Sequence, residues 1–95
     1  MFLETPAAMA LGVAHRFRDF RRSRKITLRE LSAQSGVPYS TLRRFESTGE
    51  ISFLAFVKLT SALEQDSQIT SLFAHVPPSS IEDVIRENRL RAGKN

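Results

Sequence analysis

Cysteine is absent from this chain of 95 residues, and several other signals are missing with it. Without cysteine, neither a disulfide framework nor a thiolate metal site can form. No hydrophobic run approaches the ~18 residues that a membrane-spanning helix needs, so no membrane association is expected. The first residues, Met1–Glu4, lack the basic region and apolar stretch of a secretory signal. A cytoplasmic location is therefore expected.

Catalytic and metal-binding patterns are also missing. His15 and His75 are far apart and have no ligand partner at metal-site spacing, so surface or half-buried structural roles are expected for both. Glu82 and Asp83 are adjacent, so on a helix they face different directions and favour a helix N-terminus rather than an acid–base pair. No glycine-rich phosphate loop is present. We expect neither an enzyme nor a cofactor or metal.

Helical periodicity runs through most of the chain, with no repeat and no strand pattern, and predicts an all-α fold of five or six helices. Hydrophobic residues make up 41% of the chain, enough for one modest core. We predict a flexible segment 1–8, a domain over residues 9–76, and a short helix with a basic tail over 77–95. Within the domain, helices are expected over 9–23, across 27–46 as a pair, from Ser52 to about Leu63, and from Asp66 to the proline pair at 77–78. The helix starting at Ser52 is apolar almost all round, so both of its sides should be covered. The predicted core is Val13, Phe17, Phe20, Leu31, Val37, Leu42, Phe45, Leu54, Val57, Leu63 and Leu72.

Residues 27–46 are the most informative segment. Thr27 and Glu30 have the spacing of a capping box, which predicts a helix start. Gly36 can end that helix sharply in the left-handed conformation, and Pro38 suits the first turn of the next helix. Leu42 and Phe45 face inward, which leaves Tyr39, Ser40, Arg43 and Arg44 on the outer face. A short helix with such a face suits the major groove of DNA.

Charge is distributed unevenly along the chain. Residues 16–44 contain nine arginines and lysines against Asp19 and Glu30, a net charge of +7. Residues 45–85 have a net charge of −5, and the last ten residues return to +3. The positive block coincides with the helix pair, which favours binding to a polyphosphate over the alternative of a merely solvated helical face.

The span from about Phe17 to Phe73 resembles the Xre type of helix-turn-helix regulator, the class of the phage Cro proteins and repressors. This resemblance implies a lambda-repressor-like DNA-binding domain that acts as a transcriptional repressor on double-stranded operator DNA, as a homodimer. It also implies an ion pair between Arg21 and Glu46. The matching segments are 17–21, 26–27, 30–31, 35–37, 40–42, 45–46 and 62–63.

The resemblance assigns roles to individual residues. Base contacts fall to Pro38, Tyr39, Ser40 and Arg44, and a phosphate contact falls to Arg43. Beyond the resemblance, further phosphate contacts are expected in the positive block, from Arg22, Thr27 and Arg29. For Tyr39 the alternative is a surface tyrosine that packs on the helix start. Three positions depart from the family pattern. Leu28 replaces a phosphate-contacting Gln, and Ser32 replaces Ala with a hydroxyl that can bond back to its helix. Lys25 replaces Gly, which predicts a slightly longer first helix.

A narrower resemblance concerns the C-terminal third. Its Leu-Phe pair, proline pair, short helix and arginine-rich tail are similar to the layout of small HipB-like antitoxins, which implies a HipA-like serine/threonine kinase toxin as partner. The tail from Arg86 onward is expected to be mobile, and could serve solubility, phosphate contacts or an acidic partner. The alternative to DNA binding is a protein-interaction module of the same fold. The expected dimer or partner surface consists of Phe56, Ile69, Phe73, Val76, Ile81 and Ile85.

Overall fold

A computed structural model describes residues 4–78 and 81–92, with side chains placed for 85–90 in the second range. The described part is all-helical, which confirms the predicted fold class. Helix α1 packs on α3, α2 packs on α3 and α4, and α4 packs on α5. No helix in these ranges is both long and apolar enough to cross a membrane. The helices are α1 (Pro6–Ser23), α2 (Leu28–Ser35), α3 (Tyr39–Thr48), α4 (Phe53–Ala62), α5 (Asp66–Thr70) and α6 (Ile81–Ala92).

Helix α1 begins three residues earlier than predicted. Thr5 is its N-cap and accepts a hydrogen bond from the Ala8 amide at 3.1 Å. Pro6 occupies the first helical position, where its missing N–H costs nothing and its fixed φ suits the helix. Residues 6–8, which were expected to belong to the N-terminal segment, are therefore the first residues of α1; residues 1–3 lie outside the described ranges.

The core lies where α1, α2, α3 and α4 meet. Five predicted core residues are fully buried, and Phe17, Phe20 and Val57 are half-buried. The prediction was wrong for Val13, Leu54 and Leu72, which are exposed, and it missed Ala14 and Leu59. On α1 the buried positions are 14 and 21, whereas 13 and 20 were predicted. The buried face of the helix is therefore rotated by one residue from the predicted face. The buried apolar residues are Ala14, Leu31, Val37, Leu42, Phe45, Leu59 and Leu63.

Helix α4 is covered on one side only, contrary to the expectation from its composition. Leu59 is fully buried, whereas Phe53 and Leu54 in the first turn are 64% and 65% exposed. Ser52 caps the helix as predicted, accepting a hydrogen bond from the Ala55 amide at 3.1 Å.

Helix α5 ends at Thr70, well before the proline pair that was expected to stop it. Leu72 and Phe73 lie in the turn that follows, and Phe73 has a left-handed φ of 56°. Serine, threonine and the β-branched Ile69 are weak helix formers, which accounts for the short helix. Conversely, α6 continues to Ala92, so Arg86 lies inside a helix and not at the start of the tail that was expected there.

Candidate functional site

The turn between α2 and α3 is fixed by short hydrogen bonds within the segment. Gly36 adopts a left-handed φ of 76° and its amide donates to the Ser32 carbonyl at 3.0 Å. The Ser32 hydroxyl donates across the turn to the Val37 carbonyl at 2.6 Å, rather than back to its own helix as expected. Ser35 accepts a hydrogen bond from the Val37 amide at 3.1 Å. These bonds, with the burial of Val37, set the direction in which α3 leaves α2.

The start of α2 is capped as predicted. The Thr27 hydroxyl accepts from the Glu30 amide at 3.1 Å and donates to the Glu30 carboxylate at 3.0 Å. Both functions of this hydroxyl are therefore engaged within the helix start. Leu28, which stands where the resembling family has a polar residue, is half-buried and packs against the core.

Helix α3 separates its side chains sharply into a buried and an exposed set. Leu42, Phe45 and Glu46 are buried. The exposed set consists of Ser40, Arg43, Arg44, Ser47 and Thr48. Pro38 is exposed and occupies the N-cap position, one residue before the first turn in which it was predicted. The exposed set therefore presents hydroxyl and guanidinium groups along one short helix.

The predicted ion pair between Arg21 and Glu46 is present and buried. Arg21 donates from Nε and Nη2 to the two carboxylate oxygens of Glu46 at 2.7 and 2.9 Å, and from Nη1 to the Ile26 carbonyl at 2.8 Å. Both side chains are only 7% exposed. The pair joins the end of α1 to the last turn of α3 and removes one cation from the surface.

Tyr39 and Arg29 are brought into contact at the N-terminal ends of α3 and α2. The Arg29 guanidinium lies 4.6 Å from the centre of the half-buried Tyr39 ring, a cation–π arrangement. The packing alternative considered for Tyr39 is thus present in the structure. The arginine that covers the ring was itself predicted to bind phosphate, so the two residues form one unit.

Arg44 has a partner that the sequence did not indicate. Its Nη2 donates to Oε2 of Glu50, which lies beyond the end of α3, and both side chains are largely exposed. Sequence reasoning missed Glu50 because it lies six residues from Arg44, outside helical neighbour spacing. The one available signal was Gly49, a residue typical of a helix end that turns the chain back.

Cations are concentrated at the exposed surface around these helices. Seven of the nine cations of residues 16–44 are exposed, Arg18 is half-buried, and Arg21 is neutralised by Glu46. Arg22 is exposed near the end of α1, and Arg43 on α3. Arg24 packs over the Phe20 ring at 4.9 Å. Lys25 adopts a left-handed φ of 58°, so it takes the conformation that glycine favours, and α1 still ends at Ser23.

The residues expected to form a dimer or partner surface divide into three groups. Phe56 is half-buried within an aromatic cluster, 5.5 Å from Phe45 and 6.1 Å from Phe17 between ring centres, so it contributes mainly to the domain interior. It also lines, with Ile69, an apolar groove of about 500 Å³ between α1, α4 and α5. Phe73, Val76 and Ile85 are exposed, Phe73 by 88%. The side chain of Ile81 lies outside the described residues.

Within the described ranges, no group of three or more histidine or acidic side chains could hold a metal ion. No family model matches the chain, and neither a curated protein nor a solved structure was found to match it.

Proposed function

We propose that this chain is a sequence-specific DNA-binding transcriptional repressor, in which α2 and α3 act as a lambda-repressor-like helix-turn-helix. The observation that carries the proposal is the division of α3. One side is buried in the core, and the other presents Ser40, Arg43 and Arg44 beside a surface rich in exposed cations. An exposed helix of this kind fits the major groove, and the surrounding cations suit the phosphates on either side.

In this proposal Pro38, Tyr39, Ser40 and Arg44 face the base edges. Arginine bound to guanine O6 and N7 is the commonest base-specific contact, so Arg44 carries most of the discrimination. Repressors of this kind bind as two-fold dimers to half-sites about 34 Å apart.

Phosphates are bound by Arg22, Arg29 and Arg43. The Thr27 hydroxyl is already engaged with Glu30, so Thr27 contributes through the helix start that it caps, where the positive end of the α2 dipole favours anions. The proposal assigns no catalytic residue and places the protein in the cytoplasm.

The test is a salt titration of duplex binding by the full chain. Arg22→Ala should weaken binding to all duplexes alike and reduce the slope of log affinity against log salt by about 0.9, the contribution of one phosphate contact. Arg44→Ala should instead cost about 1–3 kcal/mol on the preferred duplex and relax specificity at one base pair. Lys58→Ala is the matched control, since Lys58 is an exposed cation on α4 outside this surface.

Two results would contradict the proposal. The first is an absence of duplex binding by the wild type at low salt, which would favour a protein-interaction module of the same fold. The second is an equal loss of duplex affinity in Lys58→Ala and Arg22→Ala. That result would show that binding depends only on the overall positive charge of the protein.

A second, sharper candidate is the antitoxin role, with a HipA-like kinase as partner. Phe73 and Val76 are strongly exposed after α5, so this end of the chain offers apolar surface that a partner protein can cover. Phe73→Asp in the full chain should abolish co-purification with the kinase encoded beside it at high salt, while duplex binding is kept. If this variant still co-purifies with the kinase, the exposed apolar surface around Phe73 is not where the kinase binds.

A further inference from the structure

Glu50 stands beside the arginine to which the proposed function assigns base recognition, and nothing in the sequence pattern gave it a role. Its side chain is anionic and 65% exposed, and it lies in direct contact with Arg44. A carboxylate in this place repels DNA phosphates, so for simple affinity it is unfavourable. Its position therefore points to selectivity rather than to binding strength.

The backbone around Glu50 is held by its neighbours. The Thr48 hydroxyl donates to the Arg44 carbonyl at 2.7 Å and accepts from the Glu50 amide at 3.1 Å. The Gly49 amide donates to the Phe45 carbonyl at 2.8 Å, which closes the end of α3. Thr48 thus links the backbone of Arg44 directly to that of Glu50.

Gly49 anchors this turn to the body of the domain. It has a left-handed φ of 83°, and a Cβ built on it would lie 2.7 Å from the Leu11 backbone nitrogen and 2.8 Å from the Ala10 carbonyl carbon. The chain therefore passes directly against the backbone of α1 at this point. Since Glu50 follows at once, the fold fixes the position of the Glu50 backbone relative to α3, and so places its side chain within reach of Arg44.

We propose that Glu50 is a specificity-determining residue that positions the Arg44 guanidinium for one base pair and opposes its use on phosphate. The inference rests on the proposed DNA-binding function. Arg44 has five N–H donors, and Glu50 occupies Nη2, which leaves donors free for a base edge. Holding the side chain before binding reduces the entropy lost when the base contact forms.

Two variants separate the effect of the Glu50 charge from the effect of its side-chain length. Glu50→Gln removes the charge and weakens the hold on Arg44. It should raise the affinity for a pool of random duplexes, the unselected probe, and steepen the slope of log affinity against log salt by up to about 0.9. It should also lower, about ten-fold, the ratio of the affinity for duplexes enriched by the wild type, the selected probe, to the affinity for the unselected probe. Glu50→Asp keeps the charge but is about 1.5 Å shorter. It should leave unselected binding unchanged and still lower the ratio. Glu64→Gln, at an exposed carboxylate between α4 and α5, is the charge-matched control.

The experiment uses the full chain and a pool of duplexes randomised over about 20 base pairs, two helical turns. Sequences enriched by the wild type serve as the selected probe and the starting pool as the unselected probe. Each Glu50 variant is also made in an Arg44→Ala background. If Glu50 acts through Arg44, its effect on the ratio should disappear there.

Failure of the inference differs from failure of the proposed function. Suppose that the wild type enriches a sequence and that Arg44→Ala loses this preference, while Glu50→Gln and Glu50→Asp keep the wild-type ratio of affinities. The inference on Glu50 is then overturned, and the proposed function stands. Persistence of the Glu50 effect without Arg44 overturns it as well. If the wild type binds no duplex, the proposed function and the inference fall together.

Discussion

Arg21 holds both carboxylate oxygens of Glu46 and, with its remaining terminal nitrogen, the carbonyl of Ile26. Three segments therefore meet on one guanidinium: the end of α1, the loop before α2, and the last turn of α3. Because the Arg21–Glu46 pair is buried, removing either partner leaves an uncompensated charge in the interior.

Glu46→Ala should lower the free energy of unfolding by about 3–5 kcal/mol, the usual effect of breaking a buried pair. Urea denaturation followed by circular dichroism measures it, with Glu64→Ala as an exposed control. The double variant Arg21→Met/Glu46→Leu should recover most of the loss, because an apolar pair leaves no buried charge unpaired. Equal stability of Glu46→Ala and Glu64→Ala would show that the pair contributes nothing.

Gly49→Ala should destabilise the protein more than Gly36→Ala does. Both glycines have left-handed φ values, so both substitutions carry a conformational cost of about 1–2 kcal/mol. Only at Gly49 would the new methyl group meet backbone atoms, those of Ala10 and Leu11, whereas the space at Gly36 is open to 4 Å. We expect a further loss of about 1–3 kcal/mol at Gly49 from this overpacking. Matching thermal melts of the two variants would contradict the close approach.

Lys25→Gly should stabilise the fold by about 0.5–1 kcal/mol. The left-handed φ of 58° is unfavourable for lysine, and its relief outweighs the greater entropy that glycine gives the unfolded chain. Lys58→Gly, in the exposed interior of α4, should instead destabilise by about 0.5–1 kcal/mol. Denaturant midpoints of the two variants should move in opposite directions, and movement in the same direction would argue against strain at Lys25.

Tyr39 can be tested by separating its ring from its hydroxyl. Tyr39→Phe keeps the ring under Arg29 and should leave duplex affinity close to wild type. Tyr39→Ala removes the cation–π contact, worth about 0.5–1 kcal/mol at an exposed site, and should weaken binding about two- to five-fold. Fluorescence anisotropy with a labelled duplex measures both. If Tyr39→Phe loses as much as Tyr39→Ala, the hydroxyl contacts DNA and the ring is incidental.

Local signals allowed a good part of this structure to be predicted. The Thr27–Glu30 cap and the Gly36 turn depend on residues within a few positions of one another, where spacing determines the contact. The pairing of Arg21 with Glu46 came from a family resemblance, because 25 residues separate them and no periodicity connects them.

Features that depend on how helices are placed against one another were not predictable in the same way. The buried stripe of α1 includes Ala14 rather than Val13, because contact with α3 selects the face and not hydrophobicity alone. The contact of Gly49 with α1, and with it the position of Glu50, arises only when two helices distant in sequence meet.

The separation of side chains on α3 has a consequence for how such a protein can diverge. Leu42, Phe45 and Glu46 hold the helix in place, while the side chains of Ser40 and Arg43 contribute little to the interior. Substitutions at exposed positions of this kind usually change stability by no more than about 0.5 kcal/mol. The outer face of α3 can therefore change while the scaffold is retained, and under the proposed function a descendant that binds a new operator need differ at only a few codons.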